Sequence, residues 1–153
     1  MIDDQFAAYE ARVERGAKLK AEILPHNKGV LFDALATAGI ATVTIDFDGY
    51  GDSGSFQEAT AFSAENAEIQ LPIADITVKT VVFETDTVAV KDKVTTARDF
   101  LEALASDFLE DTHSGWEDGE GAYGQFRFSL ADRTITLEYN ERYVDSHLHE
   151  HEF

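Results

Sequence analysis

The chain contains no cysteine and few basic residues, and both shortages exclude classes of protein. Without cysteine it can form no disulfide, no zinc-thiolate site and no thiol nucleophile. Its 12 Lys and Arg residues stand against 30 Asp and Glu residues, which gives a net charge of -18. Direct binding to nucleic acid is disfavoured, because basic side chains must replace the counterions of the phosphate backbone.

Targeting and membrane-spanning patterns are also missing from the sequence. The amino-terminal residues, Met1 to Asp4, have neither the basic start nor the apolar stretch of a secretory signal. The most apolar region, residues 29–47, is interrupted by Asp33 and by threonines, so it is not a membrane-spanning segment. We therefore expect a soluble, cytoplasmic protein that does not associate with membranes.

Enough apolar material is present for one folded domain. Hydrophobic residues make up 44% of the 153 residues and include 11 Phe, which can offset the entropy lost on ordering the chain. The length leaves little room for a second core. We expect a single domain over residues 1–153, with Trp116 inside its core.

Three segments have the apolar periodicity of α-helices. Residues 3–24 and 28–39 predict two helices, because Pro25 should end the first and Gly39 should cap the second. Together they predict a helical hairpin. The third segment, residues 92–112, repeats apolar side chains every three or four positions and predicts one long helix.

Alternating apolar and polar residues predict strands in the remaining segments. The pattern is clearest where Val43, Ile45 and Phe47 alternate with polar side chains, as in a strand buried on one face. A glycine-rich turn at residues 49–54 predicts a hairpin with the next strand. Further strands are predicted at residues 56–62, 69–72, 76–90, 123–130 and 134–140. This order predicts an α+β fold with a helical hairpin, a mainly antiparallel sheet, one long helix and a carboxyl-terminal β-hairpin.

Acidic residues are concentrated in two intervals without any Lys or Arg. The first lies between Lys28 and Lys79, and the second runs from Asp99 to Gln125. If the fold brings the two intervals together, they form one continuous anionic face. The first interval contains Asp33, Asp46, Asp48, Asp52, Glu58, Glu65, Glu68 and Asp75, and the second contains Asp99, Glu102, Asp107, Glu110, Asp111, Glu117, Asp118 and Glu120.

Such a face has two interpretations. One is an ordinary solvated surface that keeps the protein soluble. The other is a surface that binds a basic partner, with the eight carboxylates of the second interval as the partner-binding residues. Because duplex DNA presents about one charge per 1.7 Å of its axis, a dense row of carboxylates can mimic nucleic acid in a basic groove.

A short string around the glycine-rich turn resembles a calcium-binding loop. Asp46, Asp48 and Asp52 stand at the first, third and seventh positions of such a loop, and Gly51 stands at the sixth. The twelfth position is Gln57 rather than the bidentate Glu that the loop requires, and the flanking segments resemble strands. The alternative is a tight hairpin turn in which glycine adopts a positive φ.

The carboxyl-terminal tail contains a second set of possible metal ligands. In an extended conformation His147, His149 and His151 face the same side, where they can hold Zn²⁺ or another transition metal. Chain ends are usually loosely held, which weakens a metal site. The alternative is a final strand or extended tail that lies against the sheet, with Phe153 as its anchor.

Two stretches resemble an uncharacterised bacterial family of small acidic proteins. They are D-G-Y-G-D-S-G at residues 48–54 and a pattern that runs from W-E-D-G-E-G-A-Y-G-Q-F-R-F through E-Y-N-E-R-Y to the closing H-E-H-E-F. The resemblance implies a domain of unknown function and a setting in bacteria or their mobile genetic elements. Small acidic inhibitors of restriction and CRISPR systems share this size and charge, but no motif links them to this chain.

We therefore expect a non-enzymatic acidic protein that binds or inhibits a partner with a basic surface. Its most specific form is a nucleic-acid mimic that acts on a bacterial defence protein. The alternative is a divalent-metal-binding protein or a metal-dependent hydrolase that uses the aspartate loop or the histidine tail. No catalytic residues are predicted, and calcium or zinc would be the cofactor only under that alternative.

Overall fold

The computed structural model describes the backbone of residues 2–153 and the side chains of residues 4–153. Over this range the chain forms two helices and eight strands, which confirms the predicted α+β class. Neither of these two helices is both long and apolar enough to cross a membrane. In chain order the elements are α1 (Ile2–Thr37), β1 (Thr42–Tyr50), β2 (Ser53–Phe56), β3 (Thr60–Phe62), β4 (Glu68–Ile69), β5 (Asp75–Phe83), β6 (Val88–Thr96), α2 (Ala97–His113), β7 (Ala122–Ser129) and β8 (Thr134–Glu141).

The structure has one amino-terminal helix where the sequence predicts two. Helix α1 is 36 residues long and continues through Pro25. A proline inside a helix removes a hydrogen bond and costs about 3 kcal/mol. Leu24 packs against the core before the proline, and Asn27 and Leu31 are buried after it, so tertiary packing offsets this cost. The predicted helical hairpin is therefore wrong.

Strand β1 is the centre of a six-stranded antiparallel sheet. The strand order is β4-β3-β1-β7-β8, and β2 pairs with β1 on the edge that β3 also uses. Tyr50 pairs with Ser53, so Gly51 and Asp52 form a two-residue turn in which Gly51 has a φ of 71°. This confirms the predicted hairpin turn with a positive-φ glycine. The carboxyl-terminal hairpin β7–β8 also forms as predicted.

One face of this sheet carries the core. Val43, Ile45 and Phe47 are buried, whereas Asp46 and Asp48 are exposed, which confirms the alternation predicted for β1. The Phe47 ring is the centre of an aromatic cluster that strengthens the core beyond the area it buries. The rings around it, at centroid separations of 5.4 to 6.2 Å, belong to Phe56, Trp116, Phe126 and Tyr139.

Helix α2 covers the core face and begins five residues later than the sequence predicts. Residues 92–96 belong to β6, because the β-branched residues Val94, Thr95 and Thr96 fit the extended backbone and pair with β5. The Thr96 hydroxyl then accepts a hydrogen bond from the Asp99 amide at 3.2 Å and caps the helix. The side chains that α2 buries are Ala97, Phe100, Leu101, Leu104, Ala105 and Leu109.

The hairpin β5–β6 is a separate two-stranded sheet that packs along α1. The buried Asn27 side chain accepts a hydrogen bond from the Lys79 amide at 2.7 Å and donates one to the Lys79 carbonyl at 2.8 Å. Near the hairpin tip, the Phe83 ring lies over Gly16, where an added Cβ would come within 2.5 Å of the ring. These contacts fix the hairpin to the middle of α1 and leave the amino-terminal turns of the helix uncovered.

Candidate functional site

Acidic residues occupy the exposed side of α2. Burial of the apolar stripe turns Asp99, Asp107, Glu110 and Asp111 to solvent and leaves Glu102 half-buried. We call these five residues the α2 acidic face. Within the described part of the chain, only Asp107 has an ion-pair partner, Lys20 at 3.9 Å. Both side chains of that pair are more than half exposed, so the pair stabilises the protein little.

The loop between α2 and β7, residues 114–121, continues the acidic surface. Trp116 is buried, as predicted, and its ring fills the space beside Gly49 and Gly54, where an added Cβ would come within 2.5 Å of the ring. The Gly51 amide donates a hydrogen bond to the Gly119 carbonyl at 3.0 Å. The turn that carries Asp52 therefore lies against the loop that carries Glu117, Asp118 and Glu120, and the two acidic intervals meet at this end of the molecule.

Other carboxylates of the first interval lie on the open face of the sheet. Asp46 accepts a hydrogen bond from Gln125 at 2.8 Å, and Asp48 accepts one from Arg142 at 2.9 Å. Together with Glu138 they line a shallow groove of about 380 Å³. Because α2 packs on the core face, this groove and the α2 acidic face lie on opposite sides of the sheet. The condition for one continuous face is therefore met only where the Asp52 turn lies against the 114–121 loop, because Asp46 and Asp48 lie on the other side of the sheet.

Several of the sixteen interval carboxylates form ion pairs with residues that are distant in sequence. Asp33 pairs with Arg133 at 2.6 Å, and Glu58 pairs with Arg98. Asp48 and Asp107 are the other interval carboxylates paired within residues 4–153. Sequence reasoning missed the partners of Asp33, Asp48 and Glu58, because 40 to 100 positions separate the paired residues.

Basic residues are also concentrated in two segments of the sequence. Eight of the 12 Lys and Arg residues fall in residues 12–28 of α1 and residues 79–93 of the hairpin, and only five of the 30 acidic residues do. These two segments pack against each other. The two segments together are therefore net positive, and the rest of the chain, which includes the α2 acidic face and the 114–121 loop, carries more negative charge than the net value of -18.

The predicted metal ligands do not converge. Asp46 and Asp48 belong to the regular strand β1 and are engaged by Gln125 and Arg142, and Asp52 lies in the two-residue turn. His147, His149 and His151 are exposed in a tail without regular structure, in which Phe153 is also fully exposed and does not anchor the tail. Among the described residues, no three His, Asp or Glu side chains are arranged to hold a metal ion.

One polar cluster was not predicted from the sequence. The His113 imidazole at the end of α2 stacks on the Tyr139 ring, with the ring centres 3.6 Å apart and the planes 4° from parallel. Burial raises the pKa of Tyr139, and the charges of Glu141 and Glu117 raise it further. The two rings line a polar hollow of about 300 Å³ next to the 114–121 loop. The sequence feature that could have indicated this cluster is the E-Y-N-E-R-Y stretch, which contains Tyr139 and Glu141.

Comparison with known proteins gives a family but no activity. No curated protein and no solved structure matches the chain. A sequence model described as "Family of unknown function (DUF6878)" matches residues 23–153, which span the carboxyl-terminal part of α1, all eight strands and α2. The chain therefore belongs to the DUF6878 family of unknown function, in agreement with its resemblance to an uncharacterised family.

Proposed function

We propose that the protein is a non-enzymatic acidic binding protein that presents the α2 acidic face and the adjoining 114–121 loop to a basic protein surface. The observation that carries the proposal is the charge of this surface: residues 99–120 contain eight carboxylates and no Lys or Arg. Only Asp107 is paired within the described structure, and that pair is weak. A partner with basic side chains would therefore meet carboxylates of which only Asp107 forms an ion pair within residues 4–153, although Asp99, Asp107 and Asp111 share a groove with Lys20, Lys79 and Lys93.

The spacing of these carboxylates favours a partner that binds nucleic acid. Asp99 and Asp111 are twelve residues apart, which is about 18 Å of helix axis. Asp99, Asp107, Glu110 and Asp111, the four exposed carboxylates, lie within about one third of the helix circumference and present about one charge per 4 to 5 Å, compared with roughly 3.4 Å per phosphate of one DNA strand. We therefore propose nucleic-acid mimicry as the form of binding, with a bacterial defence protein as one class of partner.

The setting proposed for this interaction is the cytoplasm. The chain has no cysteine, which is typical of reducing compartments. Its net charge of -18 disfavours direct contact with nucleic acids or anionic lipid surfaces. The proposed partner is therefore a protein, and association with it should be steered by electrostatic attraction.

Charge reversal on α2 tests the proposal. Asp107, Glu110 and Asp111 are replaced together by Lys, a change that favours the helix because cations interact well with its carboxyl-terminal end. The matched control reverses Glu65, Glu68 and Asp132, which are exposed, lie outside α2 and have no ion-pair partner among residues 4–153. Both variants change the net charge equally, so only the position of the charge differs.

The three proteins are immobilised and exposed to an extract of the host cell at low salt, and bound proteins are eluted with short duplex DNA at constant ionic strength. The proposal expects a protein that the natural chain and the control retain, that the α2 variant does not retain, and that DNA displaces. Equal retention by the α2 variant and the control would refute a specific role for the α2 acidic face. Retention that DNA does not reverse would refute mimicry.

A further inference from the structure

The amino-terminal turns of α1 carry an apolar stripe that nothing in the described chain covers. Phe6 and Tyr9 are each 61% exposed, and Val13 is 45% exposed. Their spacing of three and four residues places them on one side of the helix. A helical segment as short as the uncovered turns of α1 is marginally stable in water unless one of its faces is packed. A contiguous exposed apolar stripe usually marks an interaction site.

The same side of the helix is used for packing further along. Gly16, three residues after Val13, lies on the same side of the helix and beneath the Phe83 ring. Arg12 donates a hydrogen bond to the Glu84 carbonyl at 2.6 Å, which holds the hairpin tip against α1 next to the Phe83–Gly16 contact. The apolar stripe of Phe6, Tyr9 and Val13 therefore continues a packing surface whose other part is covered by the chain's own hairpin.

Charge changes sign along this part of α1. Asp4 and Glu10 are the only charged residues at positions 4–10, and both are acidic. Residues 12–20 then contain four basic side chains, Arg12, Arg15, Lys18 and Lys20, against the single acidic residue Glu14. A second copy of α1 in antiparallel orientation would bring the acidic turns of each helix next to the basic turns of the other. Parallel copies would instead oppose like charges.

We propose that the uncovered turns of α1 before Gly16, residues 4–15, bind a second copy of this chain through the apolar stripe, as an antiparallel helix pair with twofold symmetry. In such an isologous interface each copy supplies the same patch. The length of α1, about 54 Å for its 36 residues, allows the pair to form at the free ends of the helices.

This association is a property of the amino-terminal turns rather than of the family domain. The match to the DUF6878 family begins at residue 23, so Phe6, Tyr9 and Val13 all lie outside the matched residues. The inference does not depend on the function proposed for the α2 acidic face. A dimer of this kind would present two α2 acidic faces, one from each copy.

Sedimentation equilibrium of the full chain across a hundredfold range of concentration tests the inference. We expect a reversible monomer–dimer equilibrium that the Tyr9→Glu substitution weakens at least tenfold. The matched control is Ile73→Glu, because Ile73 is 92% exposed and lies in the segment between β4 and β5. Circular dichroism checks that both variants remain folded, which is expected because both substituted side chains are largely exposed.

Cross-linking tests the orientation, and the lack of natural cysteine makes it unambiguous. In the antiparallel pair, a mixture of Asp4→Cys and Lys18→Cys chains is joined by a short bismaleimide, whereas neither variant alone is joined.

A chain that stays monomeric at every concentration, or a dimer that Tyr9→Glu does not weaken, would overturn the proposal. Cross-linking of each variant with itself would overturn the antiparallel arrangement. A monomer that instead binds anionic vesicles through the stripe would identify a membrane surface and overturn the proposal too.

Discussion

Replacing Asn27 should detach the β5–β6 hairpin from α1. The Asn27 side chain satisfies both backbone groups of Lys79, on the edge of β5 that faces the helix. Each net hydrogen bond contributes about 1 kcal/mol, and a partner group left unpaired in a buried place costs about 1 to 3 kcal/mol. Alanine recovers a few tenths of a kcal/mol through its higher helix propensity. We therefore expect Asn27→Ala to destabilise the protein by about 2 to 3 kcal/mol.

Urea denaturation followed by circular dichroism measures this loss, and hydrogen exchange locates it. A loss of this size lowers the melting temperature by roughly 4 to 12 °C for a protein of this length. Exchange should accelerate most in residues 75–96, because these strands lose their attachment to α1. Glu22→Ala is the control, since Glu22 lies on the same helix but is exposed and has no ion-pair partner in the described structure.

The stability of the Asn27→Asp variant should depend on pH. The ionised carboxylate of the variant can still accept a hydrogen bond from the Lys79 backbone N–H, but it repels the Lys79 carbonyl. A protonated carboxyl can donate to that carbonyl, as the side-chain amide of Asn27 does. The fold therefore raises the pKa of the introduced carboxyl, and the stability of the variant should fall as pH rises through that pKa. A loss below about 0.5 kcal/mol for Asn27→Ala, or unchanged exchange in the hairpin, would refute the role assigned to Asn27.

Two further predictions concern the aromatic core and its edge. Gly54→Val should destabilise the protein by more than about 2 kcal/mol and shift Trp116 fluorescence to the red, because the added Cβ would meet the Trp116 ring at 2.5 Å. Gly29→Ala is the matched control: nothing lies within 4 Å of its added Cβ, and it should stabilise α1 by about 0.5 to 1 kcal/mol. Absorbance titration should show one tyrosine ionising above its ordinary pKa of 10.0, and Tyr139→Phe should remove that step. Because folding raises the pKa of Tyr139, its contribution to stability is complete below that ordinary value and is lost as pH rises through the folded-state pKa. A titration in which Tyr139→Phe removes an ordinary step would show that neither desolvation nor the charges of Glu141 and Glu117 raise that pKa.

Local patterns predicted strand β1 and the β7–β8 hairpin well. The alternation of Val43, Ile45 and Phe47 is a property of one strand, and it requires only that one face of the strand be buried. The β7–β8 hairpin was predictable for a similar reason, because its short turn fixes the register of the two strands. In both places the information lies within about ten residues of sequence.

The helices and the site depended on contacts between distant residues. Pro25 predicts a helix end from local chemistry, yet Asn27 binds Lys79, which is 52 positions away, and this contact helps to hold one continuous helix. The charge pattern likewise could not show that Arg133 reaches Asp33 across the fold. Nor could it show that α2 and the β1 carboxylates lie on opposite sides of a sheet, because that depends on which sheet face the helices cover.

The acidic surface also determines how the protein should respond to salt. A net charge of -18 destabilises the compact state by self-repulsion, and added salt screens that repulsion, so the free chain should become more stable as salt rises. Binding of the α2 acidic face to a basic partner depends on unscreened attraction and should weaken over the same range. Because the two responses have opposite signs, a loss of binding at high salt cannot be attributed to unfolding. A chain that lost both stability and binding as salt rose would show that its attractive ion pairs outweigh the repulsion among its carboxylates, and unfolding could then account for the loss of binding.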